Sequence, residues 1–232
     1  MNNERLMRNI SLQPADLAEL EKAIQMTEQS SSGEIVIAIA EESSDYSFRE
    51  LFAAVLFGAA VFTLLLLCNS YVTQWMEYHW WHVEPSLVTA VTGAVSFLAM
   101  AVFFIFANVP AIDSLIVPKK EKEQAVYRRA LRHFVESGVY ATKERTGILI
   151  YISCMERQVR ILADTGIRTK IDESYWKDRA LEVAHGIKTG TTKKALLSTI
   201  QAMSTILSQH FPPSPQNPDE LENAITFIRR GQ

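Results

Sequence analysis

Apolar positions along the chain follow three different rhythms. Two stretches are apolar almost throughout: no Lys, Arg, Asp or Glu occurs from Leu51 through Met76 or from Pro85 through Ile112. As helices rising about 1.5 Å per residue, Leu51 to Cys68 would cross most of a hydrocarbon core about 30 Å thick, and Leu87 to Ala107 all of it. Buried core helices are usually shorter and keep a polar face, so the two runs predict a transmembrane hairpin over 51–109. Shorter β-branched runs, EIVIAIA at 34–40, GILIYIS at 147–153 and QVRILA at 158–163, predict strands. The first is apolar enough to be buried on both faces. In the third, Val159, Ile161 and Ala163 alternate with Arg160 and Leu162, which gives it one wetter face.

Elsewhere the apolar period lengthens to three or four residues and predicts helices. One covers 14–30 with Leu17, Leu20 and Ile24, and Pro14 suits its first turn. A second covers 121–137 with Val126, Ala130 and Phe134, stopped by Gly138. A third starts at a cap on Asp172, carries Trp176, Ala180, Val183 and Ile187, and ends at Gly190; a last one presents Leu196, Ile200, Met203 and Leu207 before Pro212, Pro213 and Pro215. Met155, Glu156 and Arg157 suit a hairpin turn, Asp164 to Lys170 reads as a loop, and 212–232 as a mobile Pro-rich tail. The order helix, strand, hairpin, helix, strand, strand, helix, helix predicts an α/β fold, a layered domain of apolar strands covered by helices. Its two parts, 1–50 and 110–211, are separated in sequence by the hairpin.

Charge adds topology. Of 232 residues, 23 are Lys or Arg and 26 Asp or Glu, a net charge of −3. All the basic residues lie outside 51–112, where they are balanced by acids, and a balanced surface argues against nucleic acid as a partner. Arg5, Arg8, Lys22 and Arg49 precede the hairpin, and Lys119, Lys120, Lys122, Arg128, Arg129 and Arg132 follow it. Basic residues stay on the cytoplasmic side, so both termini and the α/β domain are expected there. Between the runs, NSYVTQWMEYHWWHVEPS lacks Lys and Arg and holds Tyr71, Trp75, Tyr78, Trp80 and Trp81, rings that favour the headgroup layer. This segment is expected to be an external interfacial loop. MNNERLMRNISLQP has no apolar core or cleavage site of a secretory signal, and Cys68 and Cys154 offer no disulfide framework. Gly58, Ala59 and Ala60 with Gly93 and Ala94 would let the spans approach closely. Neither span holds an ionisable residue to mark a transport pathway.

Candidate chemistry centres on acids at strand ends. If the strands ending at Ala40 and Ala163 run parallel, Glu41, Glu42 and Asp45 meet Asp164, Thr165 and Asp172 at one sheet edge, where open α/β sheets bind ligands. Such carboxylates suit Mg²⁺ or Ca²⁺, which would polarise a phosphoryl oxygen and activate water. The competing reading makes the same acids loop solvation and helix caps, and it is the one favoured. His79 and His82 with Glu77 and Glu84 have ligand spacing but no scaffold, and interface anchoring explains that segment better. His133, His185 and His210 are scattered. Gly186 to Lys194 lacks phosphate-loop spacing and reads as a turn between helices, and the basic group at 119–132 as a contact to anionic lipid.

The phrases SSGEIVIAIAEESSDY at 31–46, TGILIYISCMERQVRILADTGI at 146–167 and SQHFPPSPQNPDEL at 208–221 together resemble the TPM-domain family, also called TPM phosphatase domains. The resemblance is closest to a branch of small bacterial membrane proteins whose domain is interrupted by two spans. It implies a sheet of about four strands between helices and a bacterial inner-membrane location; the phosphatase label comes from distant members. Many secreted relatives have a glycine-rich stretch where this chain reads Ala163-Asp164-Thr165-Gly166, so only Gly166 carries over. The reading is a membrane-associated interaction or assembly module, partnered by the lipid bilayer and another membrane protein, with a homo-oligomer compatible with the sequence. A metal-dependent phosphatase is the alternative.

Overall fold

A computed structural model describes residues 3–80, 83–107, 117–213 and 225–229. The chain divides into two units, one made of Met1–Ser44 with Lys120–Gln232 and the other of Asp45–Lys119. The first unit therefore draws on sequence from both sides of the second.

In the first unit, helices α1 (Asn3–Asn9) and α2 (Pro14–Ser30) precede strand β1 (Glu34–Ala40). After the second unit come α6 (Lys119–Glu136), β2 (Gly147–Ser153), β3 (Gln158–Ala163), the short α7 (Thr165–Arg168), α8 (Glu173–Thr189), α9 (Thr192–His210) and β4 (Ile225–Ile228). The sheet order is β3-β2-β1-β4. β1 is parallel to β2, with Ile37 beside Ile150, and parallel to β4, with Ile37 beside Ile225. β3 returns antiparallel to β2, with Ile161 beside Ile150.

The continuously apolar character of β1 and β2 follows from their place. Both are buried along their whole length, because helices cover both faces. Ile35, Ile37, Ile39, Ile148, Ile150 and Ile152 point into a core with Leu20 and Ile24 of α2, Trp176 and Val183 of α8, and Leu196, Ile200, Met203 and Leu207 of α9. Val36, Ala38, Ala40, Leu149, Tyr151 and Ile228 face α6, which contributes Val126, Ala130 and Phe134. β3 lies at the edge with Val159 and Ile161 buried and Arg160 half-buried, the alternation anticipated from its sequence. At Gly147 a side chain is excluded: a Cβ there would stand 2.0 Å from the Val139 carbonyl oxygen. Gly190 takes φ 72° and closes α8 with backbone bonds to Gly186 and Ile187, so the Gly186 to Lys194 segment is a turn between helices.

Four expectations need correction. The tail at 212–232 contains a strand: Ile225–Ile228 is the fourth of the sheet, with Ile228 buried beside Ala40. Pro215 lies outside the described residues. The Asp164 to Lys170 loop contains the single helical turn α7, capped by Asp164. A further short helix, α1, buries Leu6 and Met7 where no element was expected. The segment between the apolar runs is mostly helical rather than a loop.

That helix belongs to the second unit, where α3 (Ser47–Leu67), α4 (Asn69–His79) and α5 (Pro85–Ala107) follow one another. Phe48–Leu67 and Pro85–Phe106 are long and apolar enough to cross a membrane, and only 17% of the most apolar stretch of each is buried. The two helices pack on each other through stacked Phe57 and Phe103, centroids 4.7 Å apart, and through Gly58, where a Cβ would stand 2.9 Å from the Met100 Cβ. Gly93, expected at the same contact, faces open space. Thr92 and Ser96 are buried, and the Ser96 hydroxyl donates to the Thr92 carbonyl, so it is satisfied within the helix.

Candidate functional site

The antiparallel return of β3 decides the fate of the expected carboxylate site. Ala40 lies beside Ser153, and Ser153 beside Gln158, so the end of β1 neighbours the start of β3. The end of β3 lies instead beside Ile148, one residue from the start of β2. Glu41 and Glu42 are therefore at one end of the sheet and Asp164 at the other, separated by the length of a seven-residue strand, about 20 Å. Asp45 opens the second unit. The premise of parallel β1 and β3 fails because Met155, Glu156 and Arg157 form a tight turn, which can join only antiparallel strands.

Two of the acids have defined local work. Asp164 accepts from the Thr165 N–H at 2.5 Å and lies 4.0 Å from Arg145 Nη1. Asp172 accepts from the Ser174 N–H at 2.8 Å, a helix-capping bond, and the Ser174 side chain first and this N–H second hold its carboxyl below the usual carboxylate range. Glu41 and Glu42 are half-buried. Among the described residues no three His, Cys, Asp or Glu side chains gather as a metal site. His79 Nδ1 stands 2.8 Å from the Trp75 carbonyl, within its own helix, and His82 lies outside the described residues.

What the fold does assemble at the end of β1 and β2 is a buried polar cluster. The Ser43 N–H donates to Glu156 Oε1 at 2.9 Å, and the Ser153 hydroxyl donates to Glu156 Oε2. Ser43 Oγ lies 2.8 Å from Ser153 Oγ and 3.3 Å from the Tyr151 hydroxyl. Burial pushes the Tyr151 phenol up to about 12, against the opposing pull of the Ser43 hydrogen bond and Arg129. Burial, together with the carboxylates of Glu156 and Glu41, likewise pushes the adjacent Cys154 thiol up to about 12. Such a thiol is protonated at neutral pH and is no nucleophile. Both Glu156 oxygens already accept hydrogen bonds, so the cluster is chemically a clamp: it ties the β2–β3 turn to the segment leaving β1. No local pattern signals it, since Ser43 and Glu156 become neighbours only through the parallel pairing of β1 and β2.

The TPM domain family model matches residues 109–206. Residues 109–206 carry the likeness to a TPM domain. The matched residues run from before α6 into α9; β1 and β4, which complete the same sheet, lie outside them. A solved structure supports the wider fold: the BA42 protein of the psychrophilic bacterium Bizionia argentinensis, determined by NMR, superposes with a TM-score of 0.53 over 93% of this chain and 94% of its own, at 18% identity. A comparison with curated proteins finds no match.

Within the matched region a concavity runs along β3. It measures about 630 Å³ and is lined by Glu123 and Tyr127 of α6, by Arg157 to Leu162, and by Glu173, Trp176, Lys177 and Leu181 of α8. A second hollow of about 640 Å³ continues past the start of β3 to Cys154, His185 and Lys188. Tyr127 and Leu181 are 49% and 61% exposed, large apolar side chains flanking the edge strand from both faces of the sheet. Of the ring residues expected at a membrane interface, Tyr71, Trp75, Tyr78 and Trp80 are all exposed, with Trp75 and Trp80 edge to face at 6.2 Å. Trp81 lies outside the described residues.

Proposed function

We propose that this chain is an integral protein of the bacterial inner membrane whose cytoplasmic TPM domain serves as a membrane-tethered interaction or assembly module. The observation that carries the reading is the outward apolar surface of α3 and α5: Leu64, Leu67, Phe97 and Ile105 are all exposed, and in water they would form a patch far larger than soluble monomers tolerate. The exposed Tyr and Trp side chains of α4 suit a headgroup layer, and the basic residues on either side of the apolar pair suit a cytoplasmic TPM domain. The alternative, a metal-dependent phosphatase at the membrane surface, draws no support from acids placed at opposite ends of the sheet.

The test is extraction and topology. The full-length protein is expected to stay with membranes at alkaline pH and to leave them only with detergent. A single cysteine replacing Tyr78, in a chain lacking Cys68 and Cys154, is expected to react with an impermeant maleimide added to the periplasmic side. Release by alkali, or labelling only after the inner membrane is opened, would reject the proposal.

A further inference from the structure

We infer that the free edge of β3 is a self-association surface, on which a second copy of this chain pairs its own β3 antiparallel about a two-fold axis. The inference concerns the α/β unit alone and stands whether or not α3 and α5 cross a bilayer.

The argument begins with the direction of the backbone groups. Asp164 donates its N–H to the Gly147 carbonyl at 2.9 Å, and these two residues are opposite in the β2–β3 register. In an antiparallel ladder, hydrogen-bonded positions alternate, so Gln158, Arg160, Leu162 and Asp164 turn their backbone groups toward β2. Val159, Ile161 and Ala163 turn theirs outward, and among the described residues nothing bonds to them. Natural edges of this kind are usually blunted by charged side chains, Lys above all, by Pro, a bulge or a covering segment. β3 has no Lys, Pro or Gly, and its one charge, Arg160, lies on the α6 side of the sheet with Leu162. The other outer strand, β4, is only four residues long.

Two features favour a second copy over an unrelated peptide. The first is register. With Ile161 on the two-fold axis, Val159 pairs with Ala163 of the second copy, Ile161 with Ile161, and Ala163 with Val159, so that all three outward positions are satisfied in both copies. Arg160 then faces Leu162 of the second copy, whereas an axis through Arg160 would set like charges directly opposite, which is unfavourable. The second is charge. At the start of β3, Arg157 and Lys188 stand around the hollow, while the Glu156 carboxylate is turned inward to Ser43 and Ser153. Near its end stand Asp172 and Glu173, with Asp164 already held close to Arg145. An antiparallel two-fold sets the basic end of one strand against the acidic end of the other. The same approach covers Tyr127 and Leu181 on both copies.

Full-length protein tests this directly. In a chain with Cys68→Ala and Cys154→Ala, Arg160→Cys and Leu162→Cys are made in separate, differently tagged copies and co-expressed. Opposite residues in a non-hydrogen-bonded antiparallel pair have Cα atoms about 4.5 Å apart, within disulfide reach. Mild oxidation of native membranes is expected to give a product carrying both tags, and neither variant expressed alone is expected to match its yield. Separately, Ile161→Pro removes an N–H that the single copy does not use. In mild detergent it is expected to halve the measured protein mass while leaving the circular dichroism spectrum unchanged. A monomeric wild-type protein would overturn the inference. So would a dimer that survives Ile161→Pro, single-variant products as strong as the mixed one, or oxidation that joins β3 only to a different protein.

Discussion

Ile228→Ala tests the least expected element, the strand that completes the sheet from beyond the proline-rich stretch. Ile228 is 5% exposed and packs against Ala38, Ala40 and Phe134. The substitution deletes three carbon groups at about 0.8 kcal/mol each, or about 2.4 kcal/mol of lost burial. A cavity adds to this in closed cores, where Ile→Ala costs about 2–5 kcal/mol. At an outer strand the surroundings can collapse, which keeps the total at about 2–3 kcal/mol. Denaturant unfolding of the full-length protein in mild detergent would measure the loss. Hydrogen exchange on a peptide covering Glu34–Ala40 would locate it, because Ile228 adjoins Ala40 and the Glu41 N–H donates to the Ile228 carbonyl at 3.0 Å. Ile225→Ala, at a half-buried position, should cost clearly less. A loss under about 0.5 kcal/mol, the range of ordinary surface substitutions, with unchanged exchange in β1 would refute the assignment of a fourth strand.

Three further outcomes follow from the same geometry. His133 is held below the ordinary imidazole range by burial and by Arg129, against the pull of Glu136, and its Nε2 lies 3.2 Å from Thr226 Oγ1. Its contribution is complete above the unfolded value of about 6.5 and is lost as pH falls through the depressed folded one, so His133→Gln should flatten the acid side of a stability–pH curve. An unchanged slope would contradict this. Cys154, with its thiol pushed up to about 12, should resist iodoacetamide at pH 8 until the protein is unfolded, and Glu156→Gln should speed its labelling; rapid modification of the native protein would count against its burial. Asp172→Ala should lower the melting temperature and Asp172→Asn should largely retain it, with or without added Mg²⁺ or Ca²⁺, because the carboxylate serves the Ser174 N–H. A divalent ion that stabilises the wild type and neither variant would restore the metal reading.

The strands and most helices were legible because each has a strong period of its own. Glu34–Ala40, Gly147–Ser153 and Gln158–Ala163 occupy the expected residues, as does α2. What periodicity does not encode is which strand neighbours which. The carboxylate site was lost at that step, since Glu42 and Asp164 required parallel strands that the turn at Glu156 forbids. β4 was missed because four residues after a run of prolines are too few to show alternation. The helix α4 was hidden by Tyr and Trp residues that suit an interface in any conformation. The Ser43–Glu156 clamp was illegible in principle, because its members lie on opposite sides of the apolar pair.

Strand β1, one of the two inner strands of the sheet, is also the first strand to be made. During synthesis, Ile37 leaves the ribosome long before Ile150 and Ile225, the residues that will flank it, and two greasy helices must be dealt with in the interval. Until then β1 is a naked apolar ribbon with both edges unmet, the kind of segment that chaperones hold and aggregates recruit. A message cut short anywhere before Ile225 would leave one side of that ribbon permanently open, which makes the codons for Ile225–Ile228 a checkpoint on the whole assembly.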